Sequence, residues 1–144
     1  MFSKACEYGI RAAVYIAHQS MESRRVSLKE IAEKIDSPMA FTAKILQQLA
    51  KNNIVTSVKG AGGGFELDRP TMDRVKLADI VLAMDGDGIF TGCSLGLKQC
   101  SAEKPCPVHH KFVPIRNDLK RMLEGTSLYE MTTDLEAGLT HLRR

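Results

Sequence analysis

Residues 92 to 112, GCSLGLKQCSAEKPCPVHHKF, contain the side chains of this chain best suited to bind a metal or to undergo redox chemistry. Six residues separate Cys93 from Cys100, five separate Cys100 from Cys106, and His109 follows Cys106 after two more. Thiolates and imidazoles together are ligands for zinc and for iron–sulfur clusters. The segment lacks the C-x2-C pairs of zinc knuckles, but the spacing alone does not identify the metal.

The composition and motifs indicate in which cellular compartment the protein is found and which functional classes are not expected. A chain of 144 residues is long enough to bury one core without disulfides. No apolar run approaches the roughly 20 residues of a membrane span, and the charges of Glu7 and Arg11 interrupt any signal peptide. We therefore expect a cytoplasmic protein with reduced thiols and no membrane partner. An enzyme is not expected, because C-x-x-C and G-x-S-x-G motifs and paired carboxylates are absent.

The N-terminal part of the chain contains three segments with helical periodicity. The first has an apolar stripe at Ile10, Ala13, Val14 and Ala17, at the spacing of one helix face. The second begins at a capping box formed by Ser27 and Glu30. The third has Ser37 as its expected N-cap and Pro38 at its first position. The short connection between the second and third segments predicts a helix-turn-helix.

The outer face of the third helix is polar, basic and short-chained. If the apolar Phe41, Ile45 and Leu49 point inward, the opposite face carries Ala40, Ala43, Lys44, Gln47 and Lys51. Gln47 can read an adenine edge, and Lys44 can bind guanine or phosphate. An ordinary solvated helix face remains the alternative on this pattern alone. The net charge of only +3 does not decide between the two.

A glycine-rich hairpin is predicted directly after this helix. Two β-prone runs, 54 to 58 and 65 to 67, flank a connection that holds four glycines, with Lys59 near the tip. Glycine permits the tight backbone of such a turn. A hairpin in this position behind a helix-turn-helix is a wing.

The C-terminal half is predicted to contain three further helices. The first has apolar residues at Leu77, Ile80, Val81 and Met84 and ends at Gly86. The second is a long helix with an apolar stripe, which we expect to pack against its symmetry mate in a homodimer. Folding back of this helix onto its own domain remains an alternative. Pro114 is assigned to the first turn of the helix. A terminal helix begins at Ser127 and is expected to lie over the first helix. The stripe consists of Val108, Phe112, Ile115, Leu119 and Met122, and the terminal helix carries Leu128, Met131, Leu135, Leu139 and Leu142.

The runs SLKEIAEKIDSPMAFTAKILQQLAKNNIVTSVKGAGGGFELDRP and LADIVLAMDG, followed by three cysteines, resemble the Rrf-two family of bacterial transcription regulators. The resemblance implies a mainly helical fold with a small β-hairpin: a winged helix-turn-helix at 1–86 with its wing at about 54–68, a cluster-binding cysteine loop at 87–107, and a dimerisation helix with a C-terminal helix at 108–144. It also implies a homodimer on a double-stranded DNA operator. The DNA-contacting positions would be Ser37, Met39, Ala40, Thr42, Ala43, Lys44, Gln47, Lys51, Lys59 and Gly60.

The same resemblance implies an iron–sulfur cluster on Cys93, Cys100 and Cys106. In some members a histidine three residues after the last cysteine completes a two-iron cluster, which corresponds to His109. In others an acidic residue of the first helix reaches a four-iron cluster from the other subunit, which corresponds to Glu7. We therefore expect a regulator, acting as a repressor, that senses nitric oxide, oxidants or iron–sulfur status. A structural zinc ion or a metal-free thiol switch in the same fold remains the alternative.

Overall fold

The computed structural model describes residues 1–143, in which eight helices surround one antiparallel hairpin. This confirms the predicted class, mainly helical with a small hairpin. The elements, in chain order, are α1 (Lys4–Met21), α2 (Leu28–Ile35), α3 (Met39–Lys51), β1 (Thr56–Val58), β2 (Gly64–Glu66), α4 (Arg69–Arg74), α5 (Leu77–Asp85), α6 (Gly88–Thr91), α7 (His109–Gly125) and α8 (Leu128–Glu136).

The main core lies between α1, α2, α3 and α8, with α5 packed against α1 and α3. Ile16, Ile31 and Leu46 are among the fully buried side chains there, and α8 contributes Leu128. Each such side chain stabilises the fold by about 1.5–3 kcal/mol relative to an exposed position. The expected contact of the terminal helix with the first helix is confirmed, so α8 belongs to the core of the N-terminal elements.

The serine caps of α2 and α8 form as predicted, without a reciprocal bond from the glutamate of either capping box within residues 1–143, but the cap of α3 does not form. Ser27 and Ser127 each accept a hydrogen bond from the backbone N–H three residues later. The prediction of Ser37 as the N-cap of α3 is wrong, because Pro38 takes that position without a side-chain hydrogen bond. The chain reaches Pro38 after a left-handed turn at Asp36, with φ 56° and ψ 54°. The Ser37 hydroxyl is consequently buried and without a partner in residues 1–143.

The wing is a three-residue ladder joined to the chain before α2. Thr56 pairs with Glu66 and Val58 pairs with Gly64, so the first strand begins two residues later than predicted. Val26 exchanges backbone hydrogen bonds of 3.1 and 2.8 Å with Phe65. Gly64 has φ 140°, and a Cβ there would lie 2.4 Å from the Val26 carbonyl oxygen. Only glycine therefore permits this close approach of β2 to the backbone at Val26.

Four helices differ from the sequence prediction. The short helix α4 was missed, although Asp68 caps it and Pro70 stands in its first turn, and so was the four-residue helix α6 in the segment predicted as the cysteine loop. Pro114 lies inside α7, which begins five residues earlier, and is therefore not in the first turn. The terminal helix ends at Glu136, before Leu139 and Leu142. A left-handed glycine at 138, with φ 73°, follows this end, as is common beyond helix termini.

Candidate DNA interface and cysteine loop

The predicted DNA-contacting residues lie mostly on one exposed face formed by α3 and the wing. Ala40, Lys44, Gln47 and Lys51 are exposed, whereas Ala43 and Ser37 are half-buried. Met39 is also exposed, as are Lys59 and Gly60 at the tip of the hairpin. A shallow cavity of about 350 Å³ is lined by Gln47 from α3 and Ser57 from β1. The helix face and the wing are therefore neighbours that can contact one extended ligand.

Thr42 is the exception among these predicted contacts. Its side chain has no exposed surface, and its hydroxyl donates a hydrogen bond of 2.9 Å to the Pro38 carbonyl oxygen. Thr42 therefore presents no surface for the DNA contact that the resemblance implies. The apolar face of α3 also includes Leu46, so it is wider than the predicted line of Phe41, Ile45 and Leu49.

Arg25 fixes the position of the wing, and sequence reasoning missed it. Its Nη1 donates to the Gly62 carbonyl oxygen at 2.9 Å, and its Nε donates to Glu66 Oε2 at 3.0 Å. A third bond runs from Nη2 to Glu66 Oε1 at 3.4 Å. No local pattern identifies this role, because Arg25 and Glu66 are 41 residues apart in the chain.

The cysteine loop places its ligand candidates in two pairs. The Cys100 Sγ atom lies 3.4 Å from the Nδ1 atom of His109, whose side chain is buried at the start of α7. Cys93 and Cys106 form the second pair. The backbone amides of Leu95 and Leu97, together with the Cys106 thiol, lower the pKa of Cys93 by hydrogen bonding to its sulfur. All three loop cysteines are half-buried and free.

Arg116 fastens this loop to α7. Its Nη1 donates to the Gly92 carbonyl oxygen at 2.8 Å and to the Cys100 Sγ atom at 3.3 Å. A change at Cys100 is therefore transmitted directly to two side chains of α7, Arg116 and His109.

The remaining metal-ligand candidates lie outside these pairs. Glu7 forms an ion pair of 3.1 Å with Lys4 on its own helix. Within residues 1–143, neither Glu7 nor the three loop cysteines and His109 belong to a group of three or more ligand-type side chains placed to hold a metal ion. Cys6 is fully buried. Burial, followed by the nearby Asp85 carboxylate, raises the pKa of Cys6 to about 12. Its thiol therefore stays protonated and is a poor ligand.

The predicted stripe of α7 is largely uncovered in the single chain. Ile115 is 62% exposed, Met122 is 48% exposed and Phe112 is 42% exposed. Only Leu123, from the adjoining face, is fully buried against the group of Cys6, Leu77, Ala78 and Val81. Three large exposed apolar side chains on one helix are unusual for a monomer.

The sequence profile of the Rrf2 (Rrf-two) family, described as iron-dependent transcriptional regulators, matches residues 2–134. The chain belongs to the Rrf2 family. A protein of Aquifex aeolicus named "Putative HTH-type transcriptional regulator" is 32% identical, over 100% of this chain and 99% of its own length. The regulator IscR of Photorhabdus laumondii is 27% identical, over 90% of this chain and 77% of its own length.

Solved structures share the fold of this Rrf2 protein. CymR, the global cysteine regulator of B. subtilis, superimposes with a TM-score of 0.74 at 22% identity, and the alignment covers 92% of this chain and 96% of CymR. IscR of T. potens gives a TM-score of 0.73 at 23% identity, with coverage of 97% and 91%. The winged-helix architecture is thereby confirmed.

The Rrf2 assignment confirms the predicted class of function. The protein is a transcriptional regulator of the DNA-binding type, and its relatives and fold are those of regulators and not of enzymes. Within residues 1–143, no helix combines the length and hydropathy needed to cross a membrane.

Proposed function

We propose that the protein is a homodimeric, operator-binding repressor that senses nitric oxide, oxidants or iron–sulfur status through a cluster held by Cys93, Cys100 and Cys106. The attachment of the cysteine loop to α7 carries this proposal. Through His109 and Arg116 the loop contacts the helix whose exposed stripe is the candidate dimer face. A ligand in the loop therefore acts on the geometry of the dimer.

The DNA-binding part of the proposal rests on the exposed face of α3 and the wing. In the dimer, each α3 enters a major groove with Lys44 and Gln47 toward the bases, and Lys59 approaches the neighbouring minor groove or backbone. Half-sites on one face of B-DNA lie about 34 Å apart. A change in the angle between the two α7 helices alters the separation of the two α3 helices and hence the operator affinity.

The donor set fits an iron–sulfur cluster by its chemistry. Three half-buried thiols and a buried imidazole are soft ligands on one loop and the adjoining helix end. His109 already contacts Cys100, which supports it as the fourth ligand, whereas Glu7 would act as a ligand only as Glu7 of the partner subunit. The bound cluster would supply a centre that reacts with oxidants and nitric oxide. The chain's own residues hold the loop against α7 and transmit its conformation.

Anaerobic reconstitution tests this proposal. Protein reconstituted with ferrous salt and sulfide is expected to turn brown, to retain iron and sulfide in gel filtration, and to differ from the apoprotein by about 5- to 150-fold in affinity for an operator obtained by in vitro selection. The variants C93S, C100S and C106S should each lose the colour. S94A, in the same loop, is the matched control and should keep it. Colour loss in H109A but not in E7Q assigns the fourth ligand to His109.

The opposite results separate the parts of the proposal. Protein that stays colourless and iron-free after reconstitution contradicts cluster sensing and leaves a winged-helix regulator. Equal operator affinity of the cluster-loaded and apo forms contradicts sensing even if the cluster binds.

The lowered pKa of Cys93, to which backbone amides of the loop and then the Cys106 thiol contribute, favours a metal-free thiol switch as the second candidate. The lowered pKa of Cys93 increases the fraction of its reactive thiolate, and a disulfide with Cys106 would reshape the loop. Treatment of the colourless, zinc-free apoprotein with oxidant would then change its operator affinity, and C93S would abolish the change. A tightly bound zinc ion in that colourless protein would support a structural metal instead.

A further inference from the structure

A cavity of about 540 Å³ lies between α1, α2 and the segment after α8. Its volume is within the range of small-molecule sites, about 300–1,000 Å³. None of the residues proposed to contact DNA and none of the loop cysteines line it. A ligand in this cavity and an operator can therefore occupy the protein together.

One wall of the cavity is a hydrogen-bonded polar network. The Tyr15 hydroxyl donates to Glu30 Oε1 at 2.7 Å, and Arg24 Nη2 donates to both oxygens of the same carboxylate at 3.0 and 3.2 Å. Arg24 also donates to the amide oxygen of Gln19, whose side chain is buried. The negative charge of Glu30 is therefore neutralised within the wall, and the wall is rigid before any ligand arrives.

The rim of the cavity carries positive charge in addition to that of Arg24, and the charge of Lys34 also helps to lower the pKa of Glu30. Lys34 on α2 and Arg143 beyond α8 both line it, and neither takes part in an ion pair within residues 1–143. Arg143 donates one hydrogen bond of 3.3 Å to the Glu33 carbonyl oxygen, which holds it near α2. The imidazoles of His18 and His141 add further hydrogen-bonding groups. The positive charges of Lys34 and Arg143 favour a ligand with an anionic group.

Apolar side chains also line the cavity. Leu135 near the end of α8 and Leu142 in the following segment contribute to it, beside the largely buried ring of Tyr15. A bare ion would leave this apolar surface unoccupied. A ligand with both an anionic group and an apolar body matches both kinds of lining.

We propose that this cavity is a binding site for a small organic anion, a carboxylate or phosphate on an apolar or aromatic body. The anionic group pairs with Lys34 and Arg143, and the body packs against Leu135 and Leu142. The site is independent of the cysteine loop and of the DNA interface. It gives the regulator a second input, from a metabolite.

Calorimetric titration of the full chain with simple probes tests the site. Phenyl phosphate and phenylacetate are expected to bind at millimolar concentrations or below, and at least one should bind more tightly than inorganic phosphate and than neutral benzyl alcohol. Lys34→Gln and Arg143→Gln should each weaken the binding of that probe by about tenfold, the effect of losing one charge-assisted hydrogen bond. Lys29→Gln, on the same helix but outside the cavity, should leave it unchanged.

Three outcomes would overturn the assignment. The first is that neither organic anion binds at millimolar concentration. The second is that inorganic phosphate binds as tightly as phenyl phosphate and phenylacetate, and the third is that Lys29→Gln weakens binding as much as Lys34→Gln. The last result would mean that general surface charge, and not this cavity, attracts the anion. Circular dichroism of each variant distinguishes a loss of binding from a loss of folding.

Discussion

At the scale of single residues, the position of the wing depends on Arg25. Its guanidinium bonds to a carbonyl oxygen and a carboxylate of the hairpin, and it follows Arg24, whose own guanidinium faces Glu30 on α2. Two adjacent arginines thus serve different partners. The wing carries Lys59 and Gly60 at its tip, so the orientation of these residues depends on a side chain outside the wing.

Replacement of Arg25 tests this positioning role. Arg25→Ala should lower operator affinity by about tenfold, because the wing loses three hydrogen bonds and its tip samples more orientations. Arg25→Lys keeps the charge but not the planar fork, and it should show most of the same loss. Fluorescence anisotropy of a labelled operator measures the effect.

Lys104→Ala is the control for that measurement, because it removes one exposed positive charge from the cysteine loop, outside the wing. An Arg25→Lys protein that binds as tightly as the native one would show that charge alone matters and would contradict the positioning role.

At the scale of elements, a polar network ties α1 to α2. Tyr15 from α1 and Arg24 from the connection both hydrogen-bond to Glu30 on α2. The Tyr15 hydroxyl is the main cause of the lowered pKa of the Glu30 carboxyl, followed by Arg24. Burial, followed by the hydrogen bond to Glu30, raises the pKa of Tyr15 to about 12. The network is therefore ionised at Glu30 and neutral at Tyr15 at physiological pH.

This lowered pKa predicts how stability depends on acid. Unfolding returns Glu30 to its ordinary, higher pKa, so the unfolded state binds the proton first as the pH falls. Its contribution, about 1 kcal/mol, is present at neutral pH and is lost as the pH drops through the acidic range of carboxyl groups. Urea unfolding at neutral pH and at about pH 4 should show a smaller difference for Glu30→Gln than for the native chain. An equal difference would contradict this role for Glu30.

At the scale of the whole molecule, the exposed stripe of α7 is the candidate dimer face. The residues Phe112, Ile115 and Met122 face outward, while the adjoining face of α7 packs on α5 through Leu123. In the proposed homodimer, a second copy of the chain would cover this stripe with the same stripe, in a twofold interface. In the proposed function this interface is also the part of the protein that transmits the state of the cysteine loop.

A charge in this stripe should separate the subunits. Ile115→Glu removes about 1.5–3 kcal/mol of apolar burial and places a carboxylate in the interface, so we expect mainly monomers in sedimentation velocity and weaker operator binding. Leu139→Glu changes an even more exposed side chain in the segment after α8 and should leave the dimer intact. A native chain that sediments as a monomer would contradict the proposed dimer.

Much of the fold and of the candidate site follows from the sequence, because short-range rules govern the features concerned. The periodic apolar residues of α1, α2 and α3, the capping serines at 27 and 127 and the glycine-rich hairpin are each contained in a few consecutive residues. The combination of these motifs with the three cysteines also indicated the family, which the matching profile confirmed. The limits of helices were less well predicted, since packing and backbone strain decide where a helix ends.

Only the tertiary structure decided which of these residues meet. It buried Thr42 against Pro38, brought Arg25 to Glu66 across 41 residues, and paired Cys100 with His109 while Cys93 met Cys106. It also formed the cavity between α1, α2 and the segment after α8. Such contacts join positions far apart in the chain or set by loop conformation, where no periodicity or spacing rule operates. The physical reason is that the sequence determines the elements through local hydrogen bonding and apolar patterning, whereas their packing determines the distances on which chemistry depends.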